Sequence, residues 1–261
     1  MNLKLQDFIQ KTISAFEIKH GIEHMWKPPL VATVPSNHPL VLQIKQSVMI
    51  NHLLPEDILP GAKNIVVFFI PFENKIIESN LGGEAASEEW ARAYISTNEL
   101  IGFIGDETEK YLNSHGFRMG KIKATHNFDE KTLMSRWSHR HIAWASGLGT
   151  FGINNMLITS SGCCGRLGSF VTDADSWELD LPTEHSVPLP EKCLNKNNGS
   201  CGLCRKKCLA GAYKEEGNFD RYICYETCLK NADLYRDFGF ADVCGKCLVG
   251  LPCSCKDPSL E

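Results

Sequence analysis

The sequence predicts an α+β protein in which a layered domain of helices and strands precedes a small cysteine-rich domain. Three observations support this fold class. Apolar runs of strand length alternate with segments of helical periodicity up to about residue 175. A polar, proline-containing stretch then covers residues 176–192. Ten of the twelve cysteines follow it, between Cys193 and Cys255.

The first sixty residues are predicted to form helices and loops. Lys4–Phe16 shows helical spacing of its apolar residues. The segment after it is expected to be an irregular connection, because four prolines interrupt it: Pro28, Pro29, Pro35 and Pro39. A turn at Pro60-Gly61 leads into the apolar run Asn64–Phe72, which we interpret as a buried strand.

A long helix is predicted over Ala85–Ser114, with Gly116 ending it. A strand is predicted at Phe117–Thr125, followed by a helix at Met134–Ser146 that stops at Gly147. Two further strands are predicted at Phe151–Thr159 and Gly168–Thr172. The loop between the last two strands carries Cys163 and Cys164, either as buried thiols or as a redox pair. We interpret residues 176–192 as a linker, which divides the chain into domains at 1–180 and 181–261.

Composition excludes several function classes. The net charge is −4 and the pI about 6.1, so a broad phosphate-binding surface is not expected and nucleic acid is an unlikely partner. The amino-terminal segment lacks the apolar core and small-residue cleavage site of a secretory signal. The longest apolar run, Ile65–Phe72, is too short to cross a bilayer as a helix. We therefore expect a cytoplasmic protein without a membrane partner.

The cysteine spacing points to iron–sulfur clusters, because disulfides are rare in a reducing compartment. Two-cluster ferredoxins use the run C-x2-C-x2-C-x3-C-P, whose last cysteine serves the other cluster. Cys201, Cys204 and Cys208 match its last three cysteines. Asn198 occupies the first position, for which Cys193 is the natural substitute, and Leu209 replaces the proline.

Crossing between motifs predicts two sets of four ligands. One cluster would take Cys193, Cys201, Cys204 and Cys253; the other would take Cys208, Cys224, Cys244 and Cys247. Cys255 and Cys228 are the alternatives to Cys253 and Cys224. A zinc site made by Cys201, Cys204, Cys244 and Cys247 is the competing interpretation, but it leaves four cysteines without a role unless there are two zinc ions.

Several stretches resemble the epoxyqueuosine reductases. Pro60-Gly61-Ala62-Lys63 resembles their P-G-A-[KR] strand opening. The segment 139–154, HRHIAWASGLGTFGIN, resembles their E-R-x-x-A-x-x-A-G-L-G-x-x-G-K-N block, and 166–173 resembles the strand that follows. The cysteine-rich end comes in the expected order, so the resemblance covers most of residues 60–255. The wider family includes reductive dehalogenases.

This resemblance implies a nitroreductase-like α/β domain followed by a ferredoxin-like domain with two [4Fe–4S] clusters, often with cobalamin between them; flavin is less expected. His139, Arg140 and His141 become the candidate catalytic residues, with one histidine as proton donor or facing the corrinoid. Gly147, Gly149, Gly152 and Asn154 become the candidate cofactor-binding residues, although the glycines also suit a helix end and a turn. This glycine pattern follows a helix, which disfavours a dinucleotide site.

The departures from the family pattern predict a short, divergent relative. The family's proton-donating Asp falls at about Leu133, His139 stands in place of its Glu, and Ile153 stands in place of its Lys. We expect the chain to lack the family's carboxy-terminal helical repeats, since the sequence stops at Glu261. We expect an iron–sulfur oxidoreductase that passes electrons to a cobalamin or a substrate, with a ferredoxin- or flavodoxin-type protein as donor. The alternative is a ferredoxin-like carrier or activator for a partner corrinoid or flavin enzyme.

Overall fold

The computed structural model of the chain describes residues 2–181, 189–215 and 218–260. In its first part, the helices are α1 (Leu5–His20), α2 (Pro39–Ser47), α3 (Pro55–Ile58), α4 (Asn74–Ser79), α5 (Glu88–Ser114), α6 (His139–Ala145) and α7 (Ser176–Leu179). The strands of the same part are β1 (Leu30–Pro35), β2 (Asn64–Pro71), β3 (Met119–Lys121), β4 (Phe128–Asp129), β5 (Met134–Ser135), β6 (Thr150–Phe151), β7 (Leu157–Ile158) and β8 (Gly165–Thr172).

The cysteine-rich part is built mainly from loops and short elements. These are α8 (Leu194–Asn198), α9 (Leu203–Lys206), β9 (Tyr213–Glu215), β10 (Asn218–Phe219), the longer α10 (Arg221–Leu234) and a 3-10 turn at Pro258–Leu260. No helix among the described residues is long and apolar enough to cross a membrane. These helices and strands confirm the mixed helix-and-sheet fold that the sequence predicted.

A four-stranded antiparallel sheet organises the first part, in the order β1-β2-β8-β3. All eight residues of β2 are buried, because helices cover both faces of the sheet. One face packs on α1 and α5 through residues such as Ile9, Phe68 and Leu100. The other packs on α2 and α6 through residues such as Val41, Val67 and Ile142. The core is thus two apolar layers separated by one sheet.

The predicted strand at Asn64–Phe72 and the predicted long helix are both present, as β2 and α5. Ser87 caps α5 by accepting a hydrogen bond from Trp90 N at 3.1 Å. Gly116, with a φ of 84°, follows the helix end, where Phe117 N donates to Leu112 O. The pattern was reliable here because each element is long and strongly apolar on its buried face.

The predicted irregular connection near Pro28–Pro39 was wrong in one respect, since Leu30–Pro35 forms strand β1. Its register places Val31 opposite Phe68 and Pro35 opposite Asn64. β1 lies at the edge of the sheet, where a proline removes no hydrogen bond that a second neighbour would need. Pro35 therefore led the sequence analysis to predict a loop, although a proline is compatible with an edge strand.

Three predicted elements are shorter than expected. The predicted helix Met134–Ser146 begins only at His139, because Met134–Ser135 pairs with Phe128–Asp129 in a hairpin. The predicted strand Phe117–Thr125 is reduced to β3, and Phe151–Thr159 is a small hairpin, β6 with β7. The predicted linker 176–192 starts with α7, whose Leu179 is buried in the core. Its residues 182–188 lie outside the described residues.

Candidate functional site

Four cysteines line one cavity at the start of the cysteine-rich part. They are the four that the ferredoxin-like spacing grouped together: Cys193, Cys201, Cys204 and Cys253. Cys193 immediately precedes α8 and Cys204 lies on α9, so two short helices and the loop near residue 253 bring the thiols together. Glu191 fixes the first of these loops, because its Oε1 accepts hydrogen bonds from Cys193 N and Thr150 Oγ1 at 3.0 and 3.1 Å.

A second group of thiols lies on the other side of Cys204. Burial raises the pKa of both Cys244 and Cys247; Cys224 and Cys208 raise both further, and Cys244 also raises the pKa of Cys247. Cys247 also responds to Cys204 of the first group. These four cysteines are the second predicted ligand set, and the two groups are neighbours.

Burial disfavours the charged thiolate form of the cysteines in both groups. It raises the pKa of Cys204 to about 11 and that of Cys247 to about 12, and neighbouring thiols add to both shifts. Several buried sulfurs of like charge repel one another unless a cation compensates them. Bound iron would supply that compensation, because thiols that coordinate a metal are deprotonated. The donor set and the cavity therefore fit iron–sulfur clusters.

Lys246 adds a fixed positive charge to the second group. It lies within the Cys244-Gly-Lys-Cys247 turn and is only 4% exposed. Its ammonium donates to the backbone oxygens of Asn80, at 3.0 Å, and Gly82. Burial lowers its pKa, while the nearby Cys244 opposes that shift. A cation here stabilises negative charge at the second group. The sequence analysis did not single out this lysine, although it lies between the two cysteines of a C-x2-C spacing.

Tyr213 lies close to thiols of both groups. The sequence analysis did not single it out. Its pKa is raised, first by burial and then by thiols of both groups, namely Cys247, Cys204, Cys208 and Cys224. Its ring packs against Phe219 with 4.9 Å between centroids. The hydroxyl is buried and has no hydrogen-bond partner within the described part of the chain. A buried, unpaired donor beside four sulfurs is positioned to bond a cluster sulfur.

The alternative ligands lie in different surroundings. Cys255 packs against the main hydrophobic core, near Lys27 and Glu78, and does not line the cavity that Cys253 lines. Cys228 contacts Cys224 one turn along α10 and hydrogen-bonds to it, which lowers the pKa of Cys224 to about 7 and raises that of Cys228. The two thiols titrate as a pair, and Cys224 is the member whose charge raises the pKa of Cys244 and Cys247.

Cys163 and Cys164 tie the first part of the chain to the cysteine-rich part. Cys163 N donates to Cys253 O at 2.9 Å, and the two side chains hydrogen-bond as well. The Cys164 thiol donates to Leu248 O at 3.2 Å. Gly162, with a φ of 80°, leaves no room for a side chain, since a Cβ would lie 2.5 Å from Ser254 backbone. Both cysteines are buried, as expected for structural thiols.

The four cysteines of the alternative zinc site are divided between the two groups. In the parts of the chain that the structure describes, no three His, Cys, Asp or Glu side chains converge closely enough to hold one metal ion. The cysteines needed for the predicted zinc site fall in both groups, with Cys201 at the cavity and Cys244 in the second group. Thiolates at the corners of a cubane are farther apart than the four ligands of a single zinc.

His139 has no ring nitrogen to offer a substrate. Ser169 Oγ lies 2.7 Å from its Nδ1 and accepts from Trp137 Nε1, so the serine hydroxyl donates to the imidazole. Nε2 then donates to Lys123 O at 3.2 Å. Burial, with a smaller contribution from Arg166, lowers the pKa to about 4. A neutral imidazole held at both nitrogens is a structural residue, which does not suit the predicted proton donor.

Arg140 and His141 remain accessible at the junction of the two parts. Arg140 is exposed, donates to Asn155 O at 2.6 Å and lies near Arg221 and Tyr213. His141 Nδ1 pairs with Ser138 Oγ at 2.7 Å, and its other nitrogen has no partner in the described segments. Burial and Arg140 lower its pKa to about 4. His141 is thus a neutral imidazole with one ring nitrogen engaged by Ser138.

The predicted cofactor-binding glycines are engaged within the protein. Gly147, with a φ of 75°, follows the end of α6. A Cβ on Gly149 would lie 2.3 Å from Ile158 O. Gly152 and Asn154 instead line the cavity of the first cysteine group. Leu133, where the family acid was expected, has a φ of 52° in the turn of the β4–β5 hairpin.

Solved structures with the same fold are known. An epoxyqueuosine reductase from Bacillus subtilis matches 96% of this chain with a TM-score of 0.51 and 17% identity, and one from Streptococcus thermophilus matches 98% with 0.54 and 14%. A variant of the catabolic reductive dehalogenase NpRdhA matches 87%, with 0.54 and 16%. The chain has the fold of these reductases. It spans 66%, 70% and 30% of their respective lengths.

The fold comparison confirms the resemblance stated from the sequence, at the level of fold. No protein-family model and no curated protein sequence matches the chain. One epoxyqueuosine reductase with this fold was solved with an epoxyqueuosine-modified tRNA stem loop. That structure is in tension with the prediction that nucleic acid is an unlikely partner of this chain.

Proposed function

We propose that the chain holds two [4Fe–4S] clusters and passes single electrons through them to an acceptor at the junction of its two parts. The observation that carries this proposal is the convergence of Cys193, Cys201, Cys204 and Cys253 on one cavity, beside a second group of four thiols. Bound clusters would supply one-electron chemistry at low potential. In the finer layout, a nitroreductase-like domain ends near residue 180 and a ferredoxin-like domain follows.

The chain's own residues hold the clusters, exclude water and set their electrostatics. Leu194, Leu251 and Pro252 line the first cavity together with the cysteines, so its wall is largely apolar. Lys246 and the hydroxyl of Tyr213 provide a charge and a donor beside the second group. Arg140 and His141, near Tyr213, form the corner at which an acceptor would be reduced.

A corrinoid is less well supported than the clusters. The resemblance implies cobalamin, but His139 is bonded at both nitrogens and Gly149 packs on Ile158. The residues predicted to face a corrinoid thus do not fit that role, so we derive no step through it. The alternative function, a carrier that reduces a partner corrinoid or flavin enzyme, is favoured by this arrangement and by Leu133 in place of an acid.

Cofactor content tests the proposal. Protein purified without air should contain about eight iron and eight sulfide per chain and absorb near 400 nm, roughly where cubane clusters absorb. A colourless protein with stoichiometric zinc would contradict it. Adding hydroxocobalamin, or a flavin, to the holoprotein then separates the two functions. A bound corrinoid or flavin spectrum supports a reductase, and no binding supports the carrier. A cytoplasmic location remains a prediction.

A further inference from the structure

The first cysteine motif lies in a segment of net positive charge. Residues 192–214 contain six lysines and arginines and no aspartate or glutamate: Lys192, Lys196, Arg205, Lys206, Lys207 and Lys214. The whole chain has a net charge of −4. A cationic segment of this kind in an acidic protein creates a local field that an anionic partner can follow.

Half of these cations are ion-paired; of the rest, Lys206 is exposed and the Nε of Arg205 is buried. Lys192, Lys196 and Lys214 form ion pairs with Asp257, Glu191 and Asp220. Arg205, Lys206 and Lys207 have no carboxylate partner among the described residues, and Lys206 is exposed. Lys207 donates to the backbone oxygen of Val249 at 3.1 Å, which leaves its charge uncompensated.

Two exposed leucines flank these cations. Leu203 is 41% exposed and Leu209 46% exposed. We define the basic face as residues 203–209, in which two apolar side chains border three positive charges. Small apolar patches with charged rims are typical of transient electron-transfer interfaces, which bury little area and depend on charge for encounter.

The basic face adjoins both thiol groups. Cys204, of the first group, and Cys208, of the second, bracket Arg205, Lys206 and Lys207 in the sequence. A protein docked on this face would therefore approach both groups at once. This proximity favours an electron donor over RNA, because a nucleic-acid site has no need to surround the thiols.

We propose that an acidic one-electron carrier protein of the ferredoxin or flavodoxin type docks on the basic face. The carrier's reduced cofactor loses one electron and a cluster of this chain gains it, with no proton or atom transferred. This inference rests on the proposed function, because it requires clusters in the chain. It adds the place and the charge of the donor's surface.

The test compares two ways of reducing the holoprotein. Reduced plant-type ferredoxin, an acidic carrier, is mixed with wild type and with the double variant Lys206→Gln and Lys207→Gln, and cluster bleaching is followed by stopped flow. The second-order rate should fall about tenfold at low ionic strength, and its salt dependence should flatten. Photoreduction by neutral deazaflavin should be equal in both proteins. The double variant Lys45→Gln and Lys131→Gln is the control, since it removes the same charge from exposed positions elsewhere.

Each outcome decides between the two proposals. Equal ferredoxin rates with normal photoreduction would overturn the docking face and leave the clusters standing. A wild-type protein without reducible iron–sulfur absorbance would overturn both. If a tRNA anticodon stem loop binds wild type, and the double variant weakens that binding without slowing ferredoxin, the face belongs to RNA and the inference is wrong.

Discussion

Asn154 donates a hydrogen bond from its side-chain amide to the backbone carbonyl of Cys247 over 3.0 Å. The asparagine ends the glycine-containing block of the first part and lines the cavity of the first cysteine group. Cys247 belongs to the second group. One side chain therefore links the block, the first cavity and the second thiol group, which explains why an asparagine follows the glycines at this point.

Replacing Asn154 with alanine should loosen both cysteine groups. The change leaves the Cys247 carbonyl without its partner, at a cost of about 1 kcal/mol. Holoprotein of Asn154→Ala should release iron to an anaerobic chelator several times faster than wild type. Asn113→Ala, at the exposed end of α5, is the control and should release iron at the wild-type rate. Equal rates for all three proteins would show that the hydrogen bond does not support the clusters.

The fourth ligand of the first cluster can be identified with two substitutions two residues apart. Cys253 lines the cavity and Cys255 packs in the core. Cys253→Ala should retain about four iron per chain, because one cluster loses a ligand. Cys255→Ala should retain about eight. Iron and sulfide counts on anaerobically purified proteins make the comparison, and the reverse result would assign Cys255 as the ligand.

Sequence reasoning identified the cysteine groups but not what surrounds them. The C-x2-C spacing is local, so Cys201 and Cys204 were grouped without a structure. Cys193 was taken as the substitute for Asn198, and Cys253 followed from the crossover rule. Lys246 and Tyr213 carry no such spacing, and their placement depends on how distant loops pack. The same applies to β1, whose partner β2 lies about thirty residues away and whose proline disguised it.

Histidine placement shows the same limit. His139, Arg140 and His141 occupy one short helix, so the sequence could not separate their roles. The structure separates them by burial, since the imidazole of His139 points at Ser169 and Lys123 O whereas Arg140 is exposed. Helical periodicity alone could not show which of these side chains is buried, because the helix begins at His139 and not at Met134 as predicted.

Cys224 and Cys228 should respond differently to substitution, although they lie one turn apart on α10. Cys224 is the member of this pair whose charge raises the pKa of Cys247 in the second group. Cys224→Ala should lose the second cluster, leaving about four iron per chain, and Cys228→Ala should keep both. Electron paramagnetic resonance of the reduced proteins gives the readout. Loss of a cluster only in Cys228→Ala would reverse the assignment.

Removing the hydroxyl of Tyr213 should lower a cluster potential without removing the cluster. The buried hydroxyl would donate to a cluster sulfur and so stabilise the reduced, more negative state. A hydrogen bond of about 1 kcal/mol corresponds to about 40 mV for a one-electron couple. Anaerobic redox titration of Tyr213→Phe should show this shift at unchanged iron content. Tyr222→Phe, at an exposed tyrosine, should show none.

His139 should make folding stability depend on pH below neutrality. Burial lowers its pKa from 6.5 to about 4 in the folded chain, so between these values the unfolded chain binds more protons than the folded one. The free energy of unfolding should therefore fall as pH decreases from about 6.5 to about 4, by about 3 kcal/mol from this residue. Above pH 6.5 the residue contributes no slope. His139→Gln keeps an amide N–H that can donate to Lys123 O, and its denaturant-unfolding curves at pH 7 and pH 5 should differ less than those of wild type. His20→Gln, at an exposed histidine, should retain the wild-type difference; an unchanged slope in His139→Gln would mean that His139 does not control the acid sensitivity of the fold.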